Sequence, residues 1–330
     1  MLDPPPPGAI ADLGADFGQR VLLTVDVEEE FDWNAPFSRD GHGLEHVAEF
    51  SRFQSFCEEI GAHPVYMVDY PVAQDMRAAE IIGGAVTNGR ADIGLQLHSW
   101  VTPPFEEVVS DANSFAGNLP PELEEAKFMA LLEQVTAAFG QKPLVYRAGR
   151  YGLGPNTAGI LRRANIPLDT SVRALFDYSA GHGPDFSHHP ASPYWVGDDR
   201  RLLELPLTSV YWGMLRQLGS SIQRAQKHIP SFFGGLSRTG LLERIALTPE
   251  GVTAEEALRG IDIALDSGLP LLVLSFHSPS LAPGHTPYAK NKGDVERLYH
   301  WLRTIYAYLD RRGVRTAGVG DILAAAQLRA

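Results

Sequence analysis

Short apolar runs alternate along this chain with longer segments in which apolar residues recur every three or four positions. The first run, VLLTVDV at 21–27, predicts a buried strand, and the helical spacing that follows it ends at Gly61, a usual place for glycine after a helix. The alternation continues to residue 311, with one interruption. Strands are predicted at 21–27, 64–68, 92–97, 144–147, 166–171, 202–206 and 269–276. Helices are predicted at 44–60, 69–82, 123–139, 157–164, 254–266 and 294–311.

Polar residues follow the ends of most predicted strands. They are Asp26, Glu28, Asp69, His98, Arg147, Arg150, Asp169 and His277. Alternating strands and helices favour a parallel sheet. A doubly wound sheet would gather such residues at one crevice, whereas a barrel spreads them over the carboxyl ends of many strands. The pattern therefore predicts an α/β fold, a distorted (β/α) barrel with a polar rim, and the lack of a glycine-rich phosphate loop after the first strand argues against nucleotide binding.

The pattern indicates one large domain. A chain of 330 residues can bury a full core, and α/β barrels reach this length as one unit. The proline run at 4–7 predicts a flexible N-terminal tail over 1–19. We expect residues 20–330 to form a single barrel domain, with an irregular insertion at about 210–247 where the strand–helix alternation is lost.

Composition argues against several classes of function. The net charge of −12 opposes attachment to nucleic acid or anionic lipid. Because Cys57 is the single cysteine, neither an intrachain disulfide nor a thiolate metal cluster can form. No apolar run approaches the roughly 18 residues of a membrane span, and the first residues lack the basic and apolar regions of a secretory signal. We therefore expect a cytoplasmic protein without a nucleic-acid or membrane partner.

Two acids at the end of the first strand are the first candidates for chemistry. Asp26 and Glu28 are two residues apart, so on a strand both carboxylates can face the same cavity. One interpretation is a general base beside a metal ligand, since a cation or an arginine can neutralise such a pair. The other is a charged loop, which the following Glu29 and Glu30 support if they are simply solvated.

Two histidines also end strands. His98 offers a neutral nitrogen that suits a cation such as zinc, although a single histidine is more often structural. His277 follows a strongly apolar strand and could serve as a general acid. The remaining histidines are expected to lie on the surface or in loops. They are His42, His46, His63, His182, His188, His189, His228, His285 and His300.

The segment RAGRYG contains two arginines with different expected roles. A buried Arg147 needs an acidic partner, which Asp26 or Asp169 could supply. Arg150 could instead form a structural ion pair at the rim. Asp169 could orient His277 or simply cap the turn that follows it.

The order of these motifs resembles the five-motif layout of the polysaccharide deacetylases, the NodB-homology fold of carbohydrate esterase family 4. The resemblance extends from residue 21 to about 327, apart from 210–247. It implies a distorted (β/α) barrel, a divalent metal, expected to be zinc, and hydrolysis of an N-acetyl group from an amino sugar or polysaccharide precursor.

The resemblance assigns a role to each catalytic motif. TVDVEE looks like the first motif, in which Asp26 is the general base and Glu28 a metal ligand. RAGRYG looks like the third, so Arg147 would hold Asp26. The fourth and fifth motifs would make Asp169 the residue that tunes His277, the general acid.

The second motif, HSWVT, departs from the family pattern. His98 matches, but Thr102 stands where a second histidine belongs, and in relatives whose two histidines are two apart the first position is Gln96. The third metal ligand is therefore left to Asp26 or Thr102.

The resemblance also implies a substrate groove, with an acetyl pocket beside it. The residues expected to bind substrate are Trp100, Arg150, Tyr151 and Leu274. Three hypotheses follow: a metal-dependent deacetylase with an altered ligand set, a metal-free amidohydrolase like the allantoinase-type relatives, and a non-catalytic carbohydrate-binding protein. The partner is a carbohydrate or another small amide in each case.

Overall fold

The computed structural model describes residues 1–219 and 241–327. Eleven strands are described: β1 Arg20–Val27, β2 Pro64–Val68, β3 Asp92–Leu97, β4 Val145–Ala148, β5 Leu168–Asp169, β6 Tyr194–Trp195, β7 Leu203–Glu204, β8 Ser209–Trp212, β9 Glu243–Ala246, β10 Leu271–His277 and β11 Arg315–Thr316. The α-helices are α1 Phe50–Ile60, α2 Tyr70–Gln74, α3 Met76–Thr87, α4 Pro121–Phe139, α5 Thr157–Arg163, α6 Ala254–Asp266, α7 Lys292–Arg311 and α8 Val319–Gln327.

Most of the strands form one curled, largely parallel sheet. Its order is β10-β1-β2-β3-β4-β5-β7-β6, with β11 paired to β1 and only the β6–β7 pair antiparallel. The ends of the sheet approach each other again after β7, where the backbone N–H of Thr208 donates to the carbonyl of Val273 (3.1 Å) and the Val273 N–H donates to Thr208 Oγ1 (2.8 Å). The predicted distorted (β/α) barrel is thus confirmed.

Side chains alternate between the two faces of the sheet, and each face has its own core. Leu22, Met67, Val145 and Val273 point into the barrel. The alternate residues pack outward against the helices. Because the pattern has a period of two, the inward row of β1 continues from Leu22 through Thr24 to Asp26, at the carboxyl end of the strand. The interior therefore changes from apolar to polar toward the rim where the predicted functional residues end their strands.

The N-terminal segment is packed rather than free over part of its length. Ala11, Leu13 and Phe17 are buried in the inner core, and the Ala11 N–H donates to the carbonyl of Pro193 (2.9 Å). This corrects the expectation of a flexible tail for residues 11–17. The proline run at 4–7 predicts an extended chain, but the apolar residues that follow it are buried against the barrel.

The predicted insertion begins and ends in a hairpin. β8 and β9 pair antiparallel, with Val210 opposite Ile245, so the flanks of the 210–247 segment are regular. Residues 220–240 lie outside the described part of the chain. The helix α8 was not predicted, and its Val319 and Ile322 side chains join the inner core. No helix in the described ranges is both long and apolar enough to cross a membrane.

Candidate active site

A cavity of about 300 Å³ opens at the carboxyl ends of the strands. Eight of the predicted site residues line it together: Asp26, Glu28, His98, Trp100, Arg147, Arg150, Tyr151 and His277. Residues separated by up to about 250 positions meet here because parallel strands end at one rim.

Asp26 and Arg147 form a buried ion pair at the floor of the cavity. Each is 1% exposed, and Arg147 Nη1 donates to Asp26 Oδ1. The same guanidinium donates to Ser275 Oγ (2.9 Å), Thr24 Oγ1 (2.8 Å) and the Thr170 carbonyl (3.0 Å). Its N–H groups thus donate to acceptors on two strands, β1 and β10, and on the loop after β5, and its planar fork fixes the orientation of the Asp26 carboxylate.

His277 faces Asp26 across the cavity, with Nε2 of the ring 3.8 Å from Asp26 Oδ2. Its Nδ1 is 2.6 Å from Glu250 Oε2, and the His277 backbone N–H donates to Glu250 Oε1 (3.2 Å). Burial lowers the pKa of His277, but the negative charges of Glu250 and Glu28 and the hydrogen bond to Glu250 outweigh burial and raise this pKa to about 10. The imidazole is therefore protonated at neutral pH, and Nε2–H points toward Asp26 and the cavity.

The prediction that Asp169 tunes His277 is wrong, because Glu250 occupies that position. Asp169 is the last residue of β5 and faces the opposite side of the sheet from the inward Leu168. It accepts the Ser171 hydroxyl (2.7 Å) and the Ser171 N–H (3.2 Å), so it caps the turn after the strand. Glu250 lies on the loop after β9, in a part of the sequence without a recognisable motif.

Glu28, Gln96 and His98 converge on one side of the cavity. The Nε2 amide group of Gln96 donates to Glu28 Oε2 (2.9 Å) and lies 3.2 Å from His98 Nε2. Glu28 Oε2 and His98 Nε2 are 3.5 Å apart. Burial raises the pKa of Glu28 to about 8 and lowers the pKa of His98. Both shifts have the same cause, because burial disfavours the charged form of each side chain.

Glu29 orients His98 from behind. His98 Nδ1 lies 2.8 Å from Glu29 Oε2, while Trp100 Nε1 donates to Glu29 Oε1 (2.7 Å). Burial raises the pKa of Asp69 well above its usual value, and the neighbouring charge of Glu29 adds to this effect. The expectation of a solvated Glu29 is wrong: it is fully buried, and its bond to Nδ1 leaves His98 Nε2 facing the cavity.

The donor atoms on this side of the cavity fit a divalent cation. Two buried oxygens, Glu28 Oε1 and Gln96 Oε1, have no hydrogen-bond partner. Turning the Gln96 amide would exchange Nε2 for Oε1 beside Glu28 and His98, giving a carboxylate, a carboxamide oxygen and an imidazole nitrogen. A carboxylate behind a metal-ligating histidine, as Glu29 stands behind His98, is the usual supporting arrangement.

Two other groupings of acids and histidines are close enough for a metal. The possible ligand atoms of Asp26, Glu28 and His277 lie within 4.8 Å of one another, as do those of Glu29, Asp69 and His98. Arg147 and Glu250 already hold Asp26 and His277, and hydrogen bonds join the second group internally. Glu28, Gln96 and His98 therefore remain the better donor set.

Thr102, predicted as a possible third ligand, is not among the residues that line the cavity. Thr102 lies on the loop after β3, and its carbonyl accepts a hydrogen bond from Lys127 Nζ (2.7 Å). Lys127 also binds the carbonyls of Ser99 and Pro104, so this loop is folded around a buried ammonium group. The other spacing considered from the sequence, with Gln96 in the first position, is the one that reaches the cavity, because Gln96 and His98 are two apart on an inward-facing row.

The segment after β4 has an unusual backbone. Arg150 and Tyr151 both have positive φ, 56° and 61°, which non-glycine residues rarely adopt. A Cβ on the preceding Gly149 would lie 2.5 Å from both His98 Cδ2 and the Leu97 carbonyl oxygen. The RAGRYG segment therefore brings the backbone against the His98 ring, and Arg150 stacks between the rings of Phe37 and Phe115.

Aromatic side chains form the walls of the cavity. Trp100 stacks on His98 at a centroid distance of 4.3 Å, Trp33 meets His277 edge-on at 5.2 Å, and Tyr151 stacks on Tyr178 at 5.5 Å. Such rings can pack on a sugar ring or on another flat substrate.

The prediction that Leu274 lines an acyl pocket is wrong. Leu274 belongs to the outer core, on the face of β10 opposite to His277. Its neighbours Val273 and Ser275 instead line a small cavity of about 40 Å³ that adjoins His277 and Glu250.

A buried hydrogen-bonded relay connects the loop after β1 to the end of β10. His46 Nδ1 lies 2.7 Å from Glu30 Oε1, His46 Nε2 lies 2.9 Å from Ser278 Oγ, and Ser278 Oγ accepts the Glu28 N–H (3.4 Å). Burial lowers the pKa of His46, although the hydrogen bond to Glu30 and the charge of Glu30 oppose this effect. The expectations of a surface or loop role for His46 and of a solvated Glu30 are wrong, since both residues are buried here.

Comparison with solved structures supports the same architecture. A polysaccharide deacetylase structure from Mycobacterium smegmatis is 18% identical over 99% of this chain and 96% of its own, with a TM-score of 0.56. One from Pseudomonas aeruginosa PAO1 is 14% identical over 97% and 94%, with a TM-score of 0.53. The chain has the polysaccharide deacetylase fold. An allantoinase structure also shares this fold, at 13% identity over 98% and 93% and a TM-score of 0.55. No protein-family model matches the sequence, and no curated protein matches it.

Proposed function

We propose that this protein hydrolyses an amide, removing an acyl group from an N-acylated amino sugar or a related small molecule. The observation that carries the proposal is the pair formed by Asp26 and His277. They face each other at 3.8 Å across one cavity, and each is oriented by its own oppositely charged partner. A base and an acid held apart in this way are what acyl transfer to water requires.

Asp26 is the proposed general base. Arg147 engages one carboxylate oxygen and leaves Oδ2 toward the cavity, where it can accept a proton from an attacking water. The buried guanidinium compensates the negative charge, so the carboxylate persists without bulk solvent.

His277 is the proposed general acid. Its Nδ1 is bound by Glu250, and its protonated Nε2 faces the same cavity, where it can donate a proton to the departing amine. Proton transfer to the leaving group is necessary because an amide nitrogen leaves poorly as an anion.

Glu28, Gln96 and His98 are the proposed ligands for a divalent cation, with zinc favoured by the imidazole ligand. A cation held there would supply Lewis acidity to the acyl carbonyl and to a water molecule. The chain's own contribution is to fix the ligands, through Glu29 behind His98 and through Ser278 at the backbone of Glu28.

A metal-free amidohydrolase is the second candidate, and one observation favours it. Gln96 already bridges Glu28 and His98 through hydrogen bonds, so these groups can satisfy one another without a cation. Metal analysis separates the candidates: the first requires about one divalent ion per chain, lost in His98→Ala and retained in the surface variant His300→Ala. Full activity after complete chelation would decide for the second.

The proposed reaction is tested by measuring acyl release from a panel of N-acetylated sugars, oligosaccharides and small cyclic amides. We expect the wild-type protein to release acetate, or another acyl product, from at least one class. Binding of glycans without any release, by wild type and by an Asp26→Asn variant alike, would overturn the proposal in favour of a non-catalytic carbohydrate-binding protein.

A further inference from the structure

Arg173 differs from the other arginines of the cavity in having no acidic partner among the described residues. Three arginines line the 300 Å³ cavity: Arg147, Arg150 and Arg173. Arg147 is paired with Asp26, and Arg150 lies 3.7 Å from Asp111. Within the described ranges, no carboxylate oxygen lies within 4.0 Å of the Arg173 guanidinium.

The surroundings of Arg173 are aromatic instead. Its guanidinium carbon lies 4.0 Å from the centre of the Phe176 ring and 5.6 Å from that of Tyr151, and Nη1 donates to the Tyr178 hydroxyl (3.3 Å). Aromatic faces tolerate a guanidinium and hold it flat, but they leave its in-plane donors available. A half-buried arginine in this setting is a preformed receptor for an anion, because its fork matches a carboxylate or phosphate.

A second cation strengthens the positive potential at this wall. The guanidinium carbon of Arg244 lies 3.7 Å from the centre of the same Phe176 ring, and Arg244 donates to the Leu175 carbonyl (2.9 Å). It too has no ion-pair partner among the described residues. Two guanidinium groups without an ion-pair partner in the described ranges therefore lie against one ring.

The position of Arg173 connects this wall to the reacting groups. Arg173, Tyr151, Tyr288 and His277 line both the main cavity and the 40 Å³ cavity beside His277. The backbone around Arg173 is fixed by the Leu207 carbonyl, which accepts the Ala174 N–H (3.3 Å), and by Glu204, which accepts the Val172 N–H (3.0 Å). Asp26 and Glu28 also line the main cavity, and Glu250 lines the small one, so their carboxylates disfavour an anion except where Arg173 can bind it.

We propose that Arg173 binds an anionic group of the substrate, a carboxylate or a phosphate, and so selects acidic N-acyl compounds over neutral ones. This inference rests on the proposed function for its reaction, but not for the binding of the anion. Arg173 is thus a specificity residue, and an anion bound to it directs the acyl amide toward Asp26 and His277.

The test compares matched neutral and acidic substrates. N-acetylglucosamine serves as the neutral compound, N-acetylmuramic acid as the carboxylate and N-acetylglucosamine 1-phosphate as the phosphate. We expect wild-type kcat/KM to favour at least one acid over the neutral sugar by about 10- to 100-fold, the usual worth of a hydrogen-bonded charge pair. Arg173→Gln should remove this preference by lowering kcat/KM on the acids about tenfold or more beyond any change on the neutral sugar, and Arg173→Lys should retain part of it.

A matched control removes the same charge elsewhere. Arg77 is exposed on α3, so Arg77→Gln should leave the preference unchanged. An Arg173→Gln variant that loses activity equally on neutral and acidic compounds would overturn the inference, as would a wild-type protein that favours the neutral sugar.

The two proposals can fail separately. If the wild-type protein hydrolyses none of the three compounds, their binding can be measured directly by calorimetry. Tighter binding of an acid, lost in Arg173→Gln and kept in Arg77→Gln, would support anion recognition even though the proposed reaction had failed. Equal binding of neutral and acidic compounds, or no binding of either acid, would overturn it.

Discussion

His277 keeps its proton because of Glu250, a residue 27 positions earlier on the loop after β9. This contact raises the pKa of His277, so that His277 can serve as the general acid of the site. A general acid works only while protonated, so the rate is full below the pKa of His277 and falls as the pH rises through it. The wild-type alkaline limb is therefore expected near pH 10.

Replacing Glu250 by glutamine should move this alkaline limb to lower pH. The change removes the carboxylate charge that raises the pKa of His277, while burial continues to lower it, so we expect a shift of about 1 to 3 pH units. The measurement is the pH dependence of kcat/KM. The comparison variant is Asp169→Asn, which should lower the melting temperature but leave the limb in place, and a shift in that variant instead would show that Asp169 is the tuning residue.

Gly149 is expected to be irreplaceable for a steric reason. An alanine Cβ would press on His98 and on the Leu97 carbonyl, both at 2.5 Å, and the backbone there cannot yield without moving the Arg150–Tyr151 turn. Gly149→Ala should therefore lower metal content and activity together. Gly84→Ala is the control, because no atom lies within 4 Å of the added Cβ in α3. Normal metal content and activity in Gly149→Ala would contradict the described packing.

The sequence located site residues where a strand end marked them. Asp26, Glu28, His98, Arg147 and His277 all follow apolar runs, so their meeting at one rim could be predicted. Glu250 could not, because it is one of 40 acids and its loop carries no motif. Leu274 was assigned to the wrong face by one residue, since a strand of period two sends Ser275 and Val273 inward with His277.

At the element scale, the loop after β1 and the end of β10 are joined by the relay of Glu30, His46 and Ser278. The relay fixes the backbone of Glu28 on one side and the residue after His277 on the other. It therefore links the position of the proposed cation ligand to that of the proposed acid.

Removing His46 should loosen both elements. His46→Ala removes the ring bonded to Glu30 and to Ser278, while the backbone N–H of residue 46 still donates to Glu30 Oε1, so we expect a loss of about 2 kcal/mol in the free energy of unfolding. His63→Ala is the control, since the partly exposed pair between His63 and Asp92 should contribute no more than about 1 kcal/mol. Equal destabilisation of both variants in urea unfolding would contradict the importance of the relay.

Hydrophobic periodicity predicted the long elements well. The observed β2, β3 and α6 have the predicted bounds, because each has a clear apolar face and a clear end. β5 and β7 were predicted longer than their two residues, and the β8–β9 hairpin was missed. Those short strands are set by pairing with neighbours distant in sequence, which a local pattern does not record.

At the scale of the whole molecule, the barrel rim is what makes a single site from distant motifs. Parallel strands deliver Asp26, Gln96, Arg147 and His277 to one cavity, and the Thr208–Val273 hydrogen bonds bring β10 close to the strands that precede it in the ring. The fold class followed from strand–helix alternation, whereas the loops that supply Glu250, Trp33 and Arg173 depend on tertiary contacts.

The most direct test of the account is the rate of acyl release by Asp26→Asn and His277→Ala beside His300→Ala, on a substrate that the wild-type protein hydrolyses. We expect each of the first two changes to lower kcat by about a hundred- to ten-thousand-fold, with folded protein confirmed by thermal unfolding, and the exposed His300 change to leave kcat as it was. Wild-type rates in Asp26→Asn or in His277→Ala would contradict the claim that these two side chains are the base and acid of one active site.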